Sequence, residues 1–265
     1  MPRMPMPGRK YFFFDIDGTL TNDADHRIVP SAQRTLHELE DNGHFVAVAT
    51  GRAHYKAVSF TNSIDIHSLV CAGGGCLVIN DRIIANHTLD HEMAVSLLHH
   101  ADAAGMGWLV MYDDSDKVIM KDMKFLEQAG LRTELTTYIL DEKLNPASLP
   151  IYKIYLAITP SQEKANPWIE QAGWLRMGPG YIVFQYDEKK KGILEMMDAL
   201  HHDPKDVVVF GDGKNDLVMF DPLWFSIAMG NGADALKERA DYVTAANVDD
   251  GIEKACLHFG WIRRK

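Results

Sequence analysis

The run Tyr11-Phe12-Phe13-Phe14 is apolar without a break and stops on Asp15, with Asp17 two residues later and a Gly18-Thr19 turn behind it. A strand apolar on both faces belongs inside a parallel sheet that helices cover on each side. Such a strand has no place for carboxylates in its core, so they belong at its carboxyl end, on the rim of the sheet. The rest of the chain must supply the covering layers and something to balance the acids.

The layers come by alternation. Ser31 is expected to cap a helix over Ala32 to Asn42, stopped by Gly43. Phe45 to Ala49 reads as a second buried strand, with a helix after Gly51. Leu69 to Cys71 and Leu77 to Ile79 read as short strands around Gly73-Gly74-Gly75. The alternation resumes late in the chain. Helices are expected over Gly192 to His201, Leu217 to Phe220, Ala233 to Ala240 and Gly251 to Phe259, and strands over Val207 to Phe210, Phe225 to Met229 and Tyr242 to Thr244. The pattern predicts an α/β fold with a doubly wound, mostly parallel, Rossmann-like core sheet.

The middle of the chain reads differently. Helices are expected over Asp90 to Ala104 and Pro160 to Ala172, and strands over Trp108 to Tyr112, Val118 to Lys121, Ile151 to Ile158 and Tyr181 to Tyr186. Short connections between neighbouring strands favour an antiparallel sheet. The organisation expected is a core over 9–82, an α+β insertion over 83–187 and a return to the core over 188–265, with linkers near Asn80 to Ala85 and Asp187 to Lys190.

Composition narrows the function. A net charge of -10 and a pI of about 5.6 argue against a nucleic-acid partner. No apolar run reaches the roughly 18–20 residues of a membrane span, so no membrane partner is expected. Met1 to Lys10 lacks an apolar h-region and is expected to be a flexible tail rather than a secretory signal. Three cysteines, Cys71, Cys76 and Cys256, fit a reducing cytoplasm better than a disulfide framework.

In an open parallel sheet, ligands bind outside the carboxyl ends of the strands. Asp15, Thr50 and Asp212 each stand at or just past such an end, so they should converge on one rim. Asp17 and Asp216 bring the carboxylates there to four. Unbalanced, they repel one another and some must take up protons. A hard divalent cation resolves this, and an oxygen-only set without His or Cys suits magnesium. Lys191 and the backbone around Thr50, Gly51 and Arg52 add the positive potential that phosphate needs. An acid cluster, a metal, a lysine and a helix start together describe phosphoryl transfer, with an aspartate able to act as nucleophile. Taken singly, each stretch reads as a turn, a cap or a solvated linker; the four in this order do not.

The set Asp15-x-Asp17, Thr50, Lys191 and Gly211-Asp212-Gly213-Lys214-Asn215-Asp216 resembles the four motifs of the haloacid dehalogenase (HAD) superfamily of phosphohydrolases. The stretch from Gly211 to Ile252 is similar to the Cof-type branch, whose members carry a large cap between the second and third motifs. The resemblance implies Asp15 as nucleophile and Asp17 as the group that protonates the leaving oxygen and then activates water. It implies Thr50 and Lys191 as holders of the phosphoryl group. Magnesium would be bound by the Asp15 side chain, the Asp17 backbone carbonyl and Asp212, with Asp216 in support and Asn215 orienting loop or phosphate. Two departures stand out: Gly74-Gly75-Cys76 replaces an Asn-Gly-Ala turn, and Gly230-Asn231-Gly232 replaces Gly-Asn-Ala.

In the cap, Tyr152, Ile154, Leu156 and Ile158 alternate with Ile151, Lys153, Tyr155 and Ala157. The apolar face is expected to pack on the cap helices. The mixed face, with Lys153, Tyr155 and Gln185, is expected to close over the active site and bind the non-phosphate part of the substrate. The chain thus reads as a magnesium-dependent phosphatase for a small phosphorylated metabolite, a sugar phosphate, working as a monomer or small homo-oligomer. A phosphomutase of similar architecture and a non-catalytic phospho-ligand sensor are the alternatives.

Overall fold

A computed structural model describes residues 4–5, 7–22 and 24–263. Residues 1–3 and 6 of the expected flexible tail lie outside the described residues. The chain forms two compact units, one of Met1–Arg52, Lys56–Ala85 and Glu188–Lys265, the other of Ala53–Tyr55 and Asn86–Asp187.

The sheet of the first unit takes strands from both ends of the chain. The early stretch gives β1 (Tyr11–Phe14), β2 (Phe45–Ala49), β3 (Leu69–Cys71), β4 (Cys76–Ile79) and β5 (Arg82–Asn86). After six strands of the second unit, the late stretch gives β12 (Val207–Gly211), β13 (Phe225–Ala228) and β14 (Tyr242–Val243). The order is β14-β13-β12-β1-β2-β3-β4-β5, parallel from β14 to β3 and antiparallel between β3 and β4. The chain winds outward from β1 through β2 and β3, and outward on the other side from β12 through β13 and β14. Strand order therefore reverses between β1 and β12, the crevice where open α/β sheets bind ligands. Phe14 pairs with Phe210 and with Val48, which sets the ends of β1, β12 and β2 level.

Both faces of this sheet are covered, as the unbroken apolar runs require. On one face Phe12, Phe14, Val46, Val48 and Phe210 cluster with Leu36 and Leu39 of helix α1 (Pro30–Asp41) and with Ile252 and Ala255 from the C-terminal helix over Gly251–His258. On the other, Tyr11, Phe13, Ala47 and Val209 cluster with Ile193, Met196 and Met197 from the helix over Lys189–Ala199.

Three local expectations change. Helix α1 starts at Pro30, with Val29 at the cap and no side-chain cap bond, so Ser31 lies inside the first turn, buried with its hydroxyl unpartnered. Proline is suited to that first position because its missing N–H has no helical partner there anyway. Helix α2 runs His54–Ser63, so Thr50, Gly51 and Arg52 form a loop ahead of it rather than its first turn. Leu217 to Phe220 is not an α-helix; a 3₁₀ segment runs Lys214–Met219.

The second unit has β6 (Trp108–Met111), β7 (Lys117–Met120), β8 (Thr137–Leu140), β9 (Lys153–Ala157), β10 (Trp174–Gly178) and β11 (Tyr181–Gln185), ordered β10-β11-β9-β6-β7-β8. Neighbours are antiparallel except β7 and β8, which are parallel and joined through helix α4 (Lys124–Ala129). Helix α3 (His91–Ala103), capped by the Asp90 carboxylate on the Met93 N–H at 2.8 Å, packs Leu97, Leu98 and Ala101 against Ile154, Leu156 and Ile182. Trp168 and Trp174 pack against the same cluster. The helix expected over Pro160 to Ala172 breaks into α5 (Pro160–Glu163) and a 3₁₀ turn over Pro167–Gln171, because Pro167 cannot donate to a helical ladder. The mixed face of β9 carries its own apolar cluster, in which Tyr155, Ala157, Tyr181 and Val183 meet Phe125 of α4. No helix among the described residues is long and apolar enough to cross a membrane.

Candidate active site

β1 and β12 end side by side and deliver their acids to one place. The Asp15 N–H donates to the Phe210 carbonyl at 3.0 Å, tying the end of β1 to β12. Carboxylate oxygens of Asp15, Asp212 and Asp216 lie within 4.8 Å of one another. Asp216 reaches this group because its Oδ2 accepts the Asp212 and Gly213 N–H groups at 3.1 and 3.0 Å, folding the loop back on itself. Thr19 donates to Asp212 Oδ1 at 2.7 Å. Gly18 has φ +83°, and a side chain there would collide with the Asp212 carboxylate, so this turn requires glycine.

The cation inside the group is Lys189. Its Nζ donates to Asp15 Oδ1 and Asp216 Oδ1, each at 2.7 Å, and its side chain is 1% exposed. Lys191, the expected lysine, is 61% exposed and faces Glu188 at 3.4 Å. Helical phase explains the correction. Helix α6 (Lys189–Ala199) begins at Lys189, and a residue two positions on points to another side. Lys189 shares the inward face with Gly192, Ile193, Met196 and Met197. Gly192 lets the first turn of α6 approach the hairpin, since a Cβ there would come within 2.8 Å of Gly74. Gly74, at φ +101°, in turn sits where a Cβ would lie 2.5 Å from the Glu188 carbonyl. The glycine that departs from the resembled Asn-Gly-Ala turn thus has a steric use of its own.

Burial pushes the Asp15 carboxyl up to about 7, against the pull of Lys189 and with the help of Asp216 and Asp212. Burial disfavours charge on Lys189, but Asp15 and Asp216 outweigh it and hold the ammonium above its usual range.

Thr50 is buried at the end of β2, its N–H on the Val70 carbonyl at 2.8 Å and its Oγ1 accepting the Arg52 N–H at 3.2 Å. Gly51 is half-buried between them. The Asp17 carboxylate does not join the other three acids. It is 53% exposed and takes a two-pronged contact from Arg52, at 2.5 Å from Nη2 and 3.1 Å from Nε. Asn215 is exposed on the 3₁₀ segment. Lys153 lies on β9 of the second unit, nearly buried, with Nζ on Gln185 Oε1 at 2.8 Å.

Two residues, Asn231 and Asn247, have supporting roles that the sequence does not announce. Asn231 donates to the Gly18 carbonyl at 2.8 Å and accepts the Asn247 N–H at 3.0 Å; Asn247 donates to the Thr21 carbonyl at 2.7 Å. They brace the turn that follows Asp17 from the far end of the chain, and no local pattern announces that.

A model of the haloacid dehalogenase-like hydrolase family matches residues 12–256. The chain belongs to this family. It is 30% identical to YkrA of Bacillus subtilis (strain 168) over 257 residues, 96% of this chain and 99% of that one. It is 24% identical to the 5-amino-6-(5-phospho-D-ribitylamino)uracil phosphatase YcsE of the same organism, across 94% of this chain and 95% of that one. Among solved structures, a HAD subclass IIB sugar phosphatase superposes with a TM-score of 0.75 at 27% identity, over 96% of this chain and 100% of the other. The HAD resemblance and the doubly wound core sheet read from the sequence both hold.

Proposed function

We propose that the protein is a magnesium-dependent phosphatase that hydrolyses a small phosphorylated metabolite, a sugar phosphate, through an aspartyl-phosphate on Asp15. The observation that carries this reading is the buried group itself. Three carboxylates, Asp15, Asp212 and Asp216, meet one ammonium, Lys189. Fully ionised, that group is two charges short of neutrality, which one divalent cation corrects. The all-oxygen donors fit magnesium. Both Asp216 oxygens are already engaged, so the ion would be held by the Asp15 and Asp212 side chains and the Asp17 backbone carbonyl, with Asp216 fixing the loop. Bound there, the ion supplies the charge neutralisation that lets a phosphoryl group approach a carboxylate.

Asp15 keeps Lys189 on Oδ1 and has no protein donor on Oδ2 among the described residues. A carboxylate oxygen attacks phosphorus, the bond to the leaving oxygen breaks, and Asp17 gives that oxygen its proton. Asp17 then takes a proton from water, the water oxygen attacks phosphorus, and the Asp15–phosphorus bond breaks to release phosphate. Lys189, in place of Lys191, and Thr50 hold the phosphoryl oxygens, with Gly51, Arg52 and Asn215 at its margin. Lys153 contacts the rest of the substrate. The likeness to a solved sugar phosphatase supports the substrate class, and three buried thiols suit the cytoplasm.

Release of inorganic phosphate from a panel of sugar phosphates, nucleotides and cofactor phosphates, with and without magnesium, tests the reading. Magnesium-dependent release, highest for a sugar phosphate, is expected. Turnover that persists after chelation overturns the metal assignment, and transfer of phosphate between positions of a sugar without release marks a mutase.

A further inference from the structure

Arg52 is tied down on three sides. Its N–H donates to Thr50 Oγ1 at 3.2 Å, its carbonyl accepts the Ala72 N–H at 2.7 Å, and its guanidinium lies 5.6 Å from the centre of the Phe60 ring. Its Nε and one Nη2 hydrogen grip the two oxygens of Asp17. A guanidinium has a second hydrogen-bonding edge, formed by Nη1 and the other Nη2 hydrogen. No described protein group occupies that edge, and the side chain is 30% exposed, so an anion can reach it. An ion pair this open adds little to stability. Its geometry has another use: Asp17 holds the guanidinium in one orientation, two residues from Thr50.

We infer that Arg52 bridges substrate and acid, with its Nε/Nη2 edge setting Asp17 and its free Nη1 edge taking an oxygen of the phosphoryl group. The bridge rests on the phosphatase reading above and deepens it. It fixes the distance between the proton-carrying carboxylate and the leaving oxygen, and Asp17 in turn preorganises Arg52 for the anion. The two residues therefore help one another, although Asp17 and phosphate are both negative.

That sign is measurable. Inorganic phosphate is titrated calorimetrically into the full chain at saturating magnesium, for wild type, Asp17→Ala, Arg52→Gln and the double variant. With the bridge, Asp17→Ala weakens phosphate binding about 5-fold, because a preorganised donor is lost. In the Arg52→Gln background the same change tightens binding or leaves it unaltered, because only repulsion is removed. If Asp17→Ala tightens phosphate binding equally in both backgrounds, Asp17 acts as a repelling charge alone and the bridge is wrong. Arg52→Lys supplies a second readout. A lysine keeps the charge but cannot fill two edges, so kcat is expected to fall about 10-fold while KM changes little. Full recovery of kcat by lysine overturns the bridge. A wild-type protein that neither binds phosphate nor releases it from any substrate overturns the phosphatase reading as well; the wrong coupling sign in an active enzyme overturns the bridge alone.

Discussion

Each unit of the molecule buries charge, and the two settle it differently. In the second unit the Arg132 side chain is 5% exposed, meets Glu134 at 2.7 Å and Thr136 at 3.0 Å, and stacks its guanidinium 3.9 Å from the centre of the Tyr155 ring. One cation faces one anion over an aromatic platform, so the charge balances, and within this cluster only the Arg132 Nε is buried and unpartnered among the described residues. In the first unit three carboxylates cluster, only Asp15 and Asp216 bond Lys189, and burial drives the Asp15 carboxyl up to about 7. A balanced pair serves packing. A group left short of positive charge must take a proton or a cation, which is how a site differs from a core.

The sharpest way to break this contrast is to remove the Asp15 carboxylate. Asp15→Asn is expected to lower phosphate release by at least ~10³-fold. Its thermal midpoint without magnesium should hold or rise, because a buried, poorly balanced carboxyl is gone. Residual turnover near the wild-type rate would show that another group attacks phosphorus. Next comes the cation. Lys189→Met strands two carboxylates and should cost about 3–5 kcal/mol along with activity. Lys191→Ala, at an exposed site, should stay within about 0.5 kcal/mol and keep its turnover. Equal effects in urea titrations of the two variants would return Lys191 to candidacy.

That pair of lysines shows how far the sequence could be read. The strands that place Asp15, Thr50 and Asp212 were legible because a strand apolar on both faces fits one environment. Lys191 reads as standing just ahead of a helix that begins at Gly192, whereas the helix begins at Lys189 and Lys191 lies exposed on its first turn. Lys189, Lys190 and Lys191 are chemically alike, and only phase separates them. The cue was present: Ile193, Met196 and Met197 mark the inward face, and Lys189 falls on it four residues before Ile193. Asp17 is legible as a carboxylate just past the end of β1, but its pairing with Arg52 depends on two loops meeting, which no local pattern encodes. The second unit was harder. β8 and β10 are partly exposed and lack a clean alternation, so they passed as loops, and β7–β8 pair in parallel through a six-residue helix that is too short to announce itself.

The balanced pair can be tested in its own terms. Arg132→Met keeps much of the side-chain volume and removes the bonds to Glu134 and Thr136 and the stacking on Tyr155. A loss of about 1–3 kcal/mol in denaturant titration is expected, with kcat unchanged. A fall in kcat at constant stability would mean that this cluster does more than hold the sheet together.

Lys153 sits between the two cases and gives the finest test. It is nearly buried like Arg132, and one bond from its Nζ runs to the neutral amide of Gln185 at 2.8 Å. If that bond only braces β9 against β11, Lys153→Ala and Gln185→Ala should each cost about 1 kcal/mol and leave the ranking of substrates intact. If Lys153 reads the substrate, Lys153→Ala should shift the ratio of kcat/KM between a sugar phosphate and a nucleotide by about 10-fold, the scale of one lost polar contact. Gln185→Ala should then shift the same ratio less, because the amide orients the ammonium without replacing it. An unchanged ratio in Lys153→Ala, measured beside a normal loss of stability, would assign Lys153 to the packing of the second unit and leave specificity to other side chains.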